Sequence, residues 1–261
     1  MAGDVGVQDY PIVWKKNVAP DHVELILQAP MLARAVPGQF VHVRTPGTLR
    51  RPISFSRIDP ESGQVGLLFQ VVGEGTAWLS QRSENSLLNI IGPLGRGFPP
   101  PKAERPWCLV GGGVGIPPLY AALYAWRHRV TAPISVILGA RTADYVIMRQ
   151  DFAKLVNQPI EVTTDDGSLG SKGTVLGPLA RWRSRHPEGQ VFACGPTPML
   201  AGVANLLQGM GSVYLALEQR MGCGVGACLA CVVLGEGENG PEWRRVCHDG
   251  PVFSAEELIW R

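Results

Sequence analysis

Four cysteines near the end of the chain carry the clearest chemistry. Cys223, Cys228, Cys231 and Cys247 lie in MGCGVGACLAC…RRVC, a C-x4-C-x2-C run with a fourth cysteine after fifteen intervening residues. This is the spacing of a plant-type [2Fe–2S] centre. Each of two irons needs two thiolates, so one compact loop wraps the cluster while a remote segment supplies the last ligand. Gly222, Gly224, Gly226 and Ala227 keep that loop free of bulk and let backbone N–H groups face the sulfurs. No charged side chain stands between Arg220 and Glu236, as a sheltered anionic cluster favours. A structural zinc site, the bland alternative, usually pairs two C-x2–4-C units. Here three cysteines crowd together and only one follows.

The other two cysteines read differently. Cys108 borders an apolar run and is most simply a core residue. Cys194 has no His or Asp partner in sequence, so packing beside a planar ring suits it better than nucleophilic work. The chain opens on MAGDVGVQDYP, which lacks the basic and apolar regions of a secretory signal. Ligands or reactive thiols are therefore expected rather than disulfides. The five histidines show neither metal spacing nor clustering and read as structural or solvated.

Two glycine-bearing turns offer a second kind of chemistry. VGGGVGIPP (110–118) follows a strand and opens a helix, where a pyrophosphate can meet the helix N-terminus. Gly111, Gly112, Gly113 and Gly115 are the candidates. The pattern is not a strict G-x-G-x-x-G, so a merely tight strand–helix turn stands beside that reading. VFACGPTPM (191–199) is another strand-to-helix passage, with Cys194, Gly195 and Pro196 on the turn. Such a turn belongs at the carboxyl edge of a parallel sheet, where ligands bind.

The elements around these residues suggest three segments, and the expected fold is a multidomain one. Residues 1–101 alternate short β-rich runs with turns (VELILQAP, QFVHVRT, ISFSRID, VGLLFQVVG), as in an antiparallel β-barrel or sandwich. The proline-rich stretch at 98–106 marks a boundary. Residues 102–212 alternate strands with helices, the mark of a doubly wound parallel sheet. IPPLYAALYAWRHR reads as an amphipathic helix opening on two prolines, and DFAKLV as helical. A further helix begins at Pro198, with Thr197 as its N-cap. Residues 213–261 are glycine-rich and too short for a substantial core, so a bound inorganic centre would help them fold. Gly (32) and Pro (22) together make about a fifth of the chain, implying tight turns rather than disorder. A net charge of +2 points to neither nucleic acid nor a membrane surface. The two long uncharged stretches are broken by GGGVGIPP and by CGPTP and GMGS, so neither reads as a span. The expectation is a soluble, cytoplasmic protein.

Taken together these motifs resemble the ferredoxin-reductase flavoprotein family. RPIS (51–54) is similar to that family's flavin motif, which implies that Arg51 meets the FAD pyrophosphate while Pro52, Ile53 and Ser54 line the isoalloxazine. A bidentate cation suits phosphate. GEGT (73–76) resembles its companion, with Gly75 and Thr76 as phosphate donors, and GPLGRGF (92–98) the loop closing the flavin domain. LEQRMGCGVGACLACVV resembles, more narrowly, the electron-transfer subunits of two-subunit, NAD-linked dihydroorotate dehydrogenases. That resemblance spans nearly the whole chain. It places Leu68, Phe69 and Gln70 on the second flavin strand and likens 139–152 and 163–175 to the nicotinamide-binding half.

It implies a relay in pyrimidine biosynthesis. NAD, FAD and a [2Fe–2S] cluster exchange electrons with an FMN-containing catalytic subunit that interconverts dihydroorotate and orotate, in a heterotetramer of two of each. No catalytic side chain is assigned to this chain, since nothing in it resembles the FMN barrel or its base. Arg141 could favour a 2′-phosphate and Asp165 and Asp166 disfavour one; the resemblance favours NAD. Two rivals remain: the same reductase module serving a hydrogenase or sulfide-handling complex, and a zinc-stabilised nucleotide-binding regulator.

Overall fold

The computed structural model describes residues 5–260. Six antiparallel strands close a barrel: β1 (Gly6–Ala19), β2 (His22–Gln28), β3 (Phe40–Val43), β4 (Arg51–Asp59), β5 (Gln64–Gln70) and β6 (Leu87–Leu94), in the order β1-β2-β5-β4-β3-β6. Period-two alternation turns Val41 and Val43 inward with Leu25, Leu27, Phe55 and Leu67. It turns Phe40 and His42 outward, toward the rest of the molecule. The sequence reading had four of these strands. It passed over β6 and over β1, whose long exposed half carries Pro11 and two lysines. A short helix, α1 (Glu74–Ser80), grows out of the GEGT turn.

The second layer is a seven-stranded sheet. Its parallel strands are β7 (Trp107–Gly112), β8 (Ile134–Ala140), β9 (Glu161–Thr164), β10 (Ser171–Lys172), β11 (Gln190–Cys194) and β12 (Val213–Ala216). The order β10-β9-β8-β7-β11-β12 runs outward from β7 in both directions, so the topological switch lies between β7 and β11. The crevice at the carboxyl ends there is where doubly wound sheets bind ligands. Both glycine turns open onto it.

Helices α2 (Ile116–Trp126), α3 (Arg149–Ala153), α4 (Leu176–Arg185) and α5 (Thr197–Leu206) cover the sheet. Expected to be amphipathic, α2 is buried on nearly every face, with only Tyr124 and Ala125 outside. It is wedged between the two layers: Ala121 joins the barrel core while Leu119 and Leu123 pack with Trp107 and Phe192. The start of α5 also differs by one residue, since Pro196 rather than Thr197 is its N-cap and no side chain caps it.

The third segment forms a hairpin, β13 (Val232–Gly237) with β14 (Gly240–Arg245), and then β15 (Val252–Ser254). β15 adds antiparallel to the outer edge of β12. The sheet thus takes two of its seven strands from residues beyond 212, and the cysteine loop is an excursion between them.

A buried ion network ties barrel to sheet. The Glu24 carboxylate, 3% exposed, accepts hydrogen bonds from Ser56 Oγ (2.9 Å) and Arg57 Nε (3.0 Å). Arg57 also donates to Tyr120 Oη (3.2 Å) on α2 and pairs with Asp151 (3.4 Å) on α3. A charge buried this deeply is tolerated only when so fully partnered. No helix among the described residues is long and apolar enough to cross a membrane.

Candidate functional site

A cavity of ≈1010 Å³ lies between barrel and sheet, at the switch point. Its barrel wall is made by Arg51, Pro52, Ile53 and Ser54 on β4, and by Leu68, Phe69 and Gln70 on β5. Its sheet wall is made by Gly112, Gly113, Gly115, Cys194, Gly195 and Pro196. Fourteen of the sixteen expected nucleotide-site residues therefore line one space once Thr76 is counted. The exceptions are Gly75 and Gly111. Gly111 stands inside β7, where a Cβ would lie 2.9 Å from Ile116 Cγ1, so its bareness serves strand–helix packing.

Gly75 sits just behind the wall, against two polar groups. A Cβ there would collide with the Arg51 guanidinium and stand 2.9 Å from Thr45 Oγ1. Thr45 is buried and its hydroxyl has no hydrogen-bond partner. An arginine, an orphaned hydroxyl and bare backbone converging on one point suit a phosphate oxygen. The FAD pyrophosphate fits this cradle. Thr76 plays another part than expected. Its Oγ1 accepts from Val72 and Gly73 N–H (2.9 and 3.1 Å) and donates to the Gly73 carbonyl (3.0 Å), so the hydroxyl is spent on shaping the turn.

The two glycine turns are pressed together. A Cβ on Gly115 would lie 2.5 Å from Gly195 N and overlap the Cys194 carbonyl. Backbone against backbone leaves no side chain to yield. Cys194 is half-buried at this junction. Desolvation, aided by the Glu218 carboxylate, pushes its thiol up to about 12, which leaves it a packing group and not a nucleophile. Toward the other end of the cavity stand Arg141, Tyr145, Thr163 and Asp165. The Arg141 guanidinium lies 4.8 Å over the Tyr145 ring, and the buried Thr163 hydroxyl is unpartnered. Asp166 turns away to accept from Ser168 Oγ (2.6 Å). Sequence reasoning missed His22, Phe40, Thr45 and Pro251, whose signals are weak because they reach the site from elements that carry no motif of their own. It also gave Glu218 no role, although that residue stands in LEQRMGCGVGACLACVV.

The four clustered cysteines meet at the junction of all three segments. Cys231 and Cys247 are each 2% exposed, in an apolar cluster that also holds Phe40 and Leu94 of the barrel and Val110 of β7. Backbone N–H groups of the loop and of Cys247 donate to sulfur. Cys223 N–H reaches Cys228 Sγ (3.4 Å), while Ala227 and Cys228 N–H reach Cys223 Sγ (3.3 and 3.4 Å). Gly226 N–H reaches Cys247 Sγ (3.1 Å), and Cys247 N–H reaches Cys231 Sγ (3.4 Å).

The thiols fall into two pairs, Cys223 with Cys228 and Cys231 with Cys247, the donor set that a two-iron centre needs. Burial would raise the Cys223 thiol, but the N–H groups of Val225, Cys228 and Ala227 outweigh it and bring it to about 6. Donors that favour thiolate also favour a cluster whose charge sits on sulfur.

The loop owes its path to left-handed backbone at Gly224 (φ +74°) and Gly226 (φ +83°). Arg245 braces it from behind. Its Nη1 donates to the Gly226 carbonyl (3.2 Å), while Nε and Nη2 clasp both oxygens of Asp249 (2.9 and 3.0 Å).

Comparison with known proteins agrees with this geometry. Residues 218–259 match the family model of the iron–sulfur cluster binding domain of dihydroorotate dehydrogenase B, and residues 109–205 that of the oxidoreductase NAD-binding domain. The electron transfer subunit of dihydroorotate dehydrogenase B (NAD(+)) from Shouchella clausii is 38% identical over 257 residues, 95% of this chain and 96% of that one. The protein of the same name from Bacillus caldolyticus is 39% identical over 98% of this chain and 99% of its own. Among solved structures, an NADH-dependent reduced ferredoxin–NADP oxidoreductase studied for flavin-based electron bifurcation superposes with a TM-score of 0.83. It is 33% identical, over 96% of this chain and 90% of its own. The ferredoxin reductase of carbazole 1,9a-dioxygenase, at 21% identity and a TM-score of 0.70, shares the fold. The chain belongs to the family of electron transfer subunits of NAD-linked dihydroorotate dehydrogenase B, oxidoreductase components that work with FAD, a [2Fe–2S] cluster and NAD.

Proposed function

We propose that this chain moves electrons between NAD and an FMN-containing catalytic subunit that interconverts dihydroorotate and orotate, in a cytoplasmic assembly of two copies of each subunit. Bound FAD and cluster supply the redox chemistry, a hydride on the nicotinamide side and single electrons on the other. Arg51, Thr45 and the bare Gly75 would clasp the FAD pyrophosphate. Pro52, Ile53, Ser54 and the Leu68–Gln70 strand would wall the isoalloxazine. Gly112, Gly113 and Gly115, with the turn at Cys194, Gly195 and Pro196, would admit the nicotinamide and exclude water from the face where hydride passes. Cys223, Cys228, Cys231 and Cys247 would hold the two irons. Residues 1–101, 102–212 and 213–261 remain the natural division by cofactor, although the sheet borrows strands across the second boundary.

One observation carries the reading. Cys231 of the N–H-lined cluster loop and Cys247 of the remote segment share an apolar cluster with Phe40, which also lines the large cavity, so both redox sites meet at one apolar junction. The test is a visible spectrum of anaerobically purified protein before and after NADH, made on the chain co-expressed with an FMN-containing dihydroorotate dehydrogenase subunit. Flavin and cluster bands that bleach with NADH, in a particle holding two of each chain, are the expected result. A colourless protein that retains zinc and takes up no FAD would overturn it.

A further inference from the structure

His42 is completely buried, and neither ring nitrogen has a hydrogen-bond partner. A neutral imidazole carries one N–H donor and one acceptor, and leaving the donor unmet inside a protein forfeits the hydrogen bond that water would have given it. Such a group needs an explanation. Its surroundings narrow the choice. The outward face of β3 presents two rings, Phe40 and His42, in an edge-on pair with centroids 6.1 Å apart. Phe40 lines the nucleotide cavity, whereas His42 does not.

The imidazole lies against the cluster loop instead. A Cβ on Gly224 would stand 2.7 Å from His42 Nδ1 and 2.8 Å from Cε1, so the loop's left-handed glycine rests directly on the ring. Gly224 follows Cys223, and the loop's own N–H groups already point inward at sulfur. Desolvation together with Arg50 and Arg51 brings His42 down to about 4, which keeps the ring neutral. The barrel thus delivers one dry, unpaired donor to the loop that wraps the iron centre.

We propose that the His42 ring N–H donates a hydrogen bond to a sulfur of the [2Fe–2S] centre, making a barrel residue part of the cluster's electronic surroundings. This rests on the cluster reading above. Hydrogen bonds to cluster sulfurs stabilise the reduced, more negative form. His42 is then a positioning and tuning residue, and it couples the flavin barrel to the redox equilibrium of the centre.

The test is pulsed EPR of the reduced holoprotein, made with natural-abundance histidine and with ring-15N histidine. A ring-nitrogen coupling that shifts with the label, survives in His248→Phe and vanishes in His42→Phe is the expected result. In His42→Phe the ratio of reduced to oxidised cluster at fixed potential should fall on the order of tenfold, the size of one hydrogen bond to a charged group. His42→Gln, which keeps an N–H donor, should restore much of that ratio without the ring coupling. Reduced-cluster signal with no labelled coupling in the wild-type protein, or coupling lost only in His248→Phe, would overturn the inference. Absence of any reduced-cluster signal would overturn the cluster reading with it. Should His42→Phe fail to assemble a cluster, the wild-type and His248→Phe spectra still decide.

Discussion

Replacing Gly115 by alanine adds a single methyl group at the point where the two glycine turns touch. The new Cβ would lie 2.5 Å from Gly195 N, whereas ordinary contact begins near 3.4 Å. The turns must therefore part by about 0.9 Å, and because the opposing atoms are backbone no rotamer can relieve them. Overpacking of this kind costs about 1–3 kcal/mol. At about 2–4 °C per kcal/mol for a chain of this size, melting should fall by roughly 2–12 °C. The larger effect should be kinetic. A displacement near 1 Å of a group that orients the reactants can cost about 10²-fold. Stopped-flow reduction of the bound flavin by NADH should slow by that order, while FAD content stays close to one per chain because the pyrophosphate cradle lies elsewhere. A Gly115→Ala protein that melts normally and reduces its flavin within twofold of wild type would refute the argument from backbone contact.

Arg51→Ala should give protein purified largely without FAD, and Thr45→Val should weaken FAD binding about tenfold with little change in melting, both read by flavin fluorescence on dialysis. Retained stoichiometric FAD in both would remove the cradle at Gly75. Arg57→Met should destabilise by about 3–5 kcal/mol in urea titrations because Glu24 is left buried and unpaired; the double variant with Glu24→Gln should recover much of this loss. Additive effects in that pair would contradict the network. Cys194 should resist iodoacetamide between pH 7 and 9. Its raised pKa keeps it a thiol throughout that window, with modification rising only as pH approaches about 12. Rapid labelling at pH 8 in the folded protein would be the contrary result. Arg245→Ala should lose cluster absorbance faster than wild type under a chelator, since the Gly226 carbonyl is released.

What could be read from the sequence was whatever depends on local chemistry. Cysteine spacing specified the cluster loop, and of the glycines read as keeping it free of bulk, Gly224 and Gly226 prove to hold left-handed backbone. The motif at 51–54 and the turns at 110–118 and 191–199 came together on one cavity, as strand-to-helix passages at a sheet's carboxyl edge should. What could not be read arises from packing between distant elements. The apolar run of α2 looked amphipathic because nothing local revealed a second layer to cover its other face. Thr45 and His42 look ordinary in QFVHVRT; they matter because Gly75 and Gly224 come to rest against them. Thr76 fits its motif by residue type, yet its hydroxyl is committed to the turn. Strand β15, which is three residues long and directly follows a cis Gly250–Pro251 bond, is too short to carry a pattern.

That last strand bears on how the molecule comes apart. The iron-binding segment leaves the sheet after Ala216 and rejoins it at Val252, so both of its ends are stitched into the nucleotide-binding layer. A ferredoxin joined by a tether could be clipped off and leave a working reductase behind. Here truncation at residue 212 would strip two strands and bare the edge of β11. Loss of iron should slacken the seam from within, and amide exchange at residues 213–216 and 252–254 should quicken as the metal leaves. Damage to the cluster would then register at the distant nicotinamide turn, making oxidative injury to one cofactor a cause of weakened grip on another.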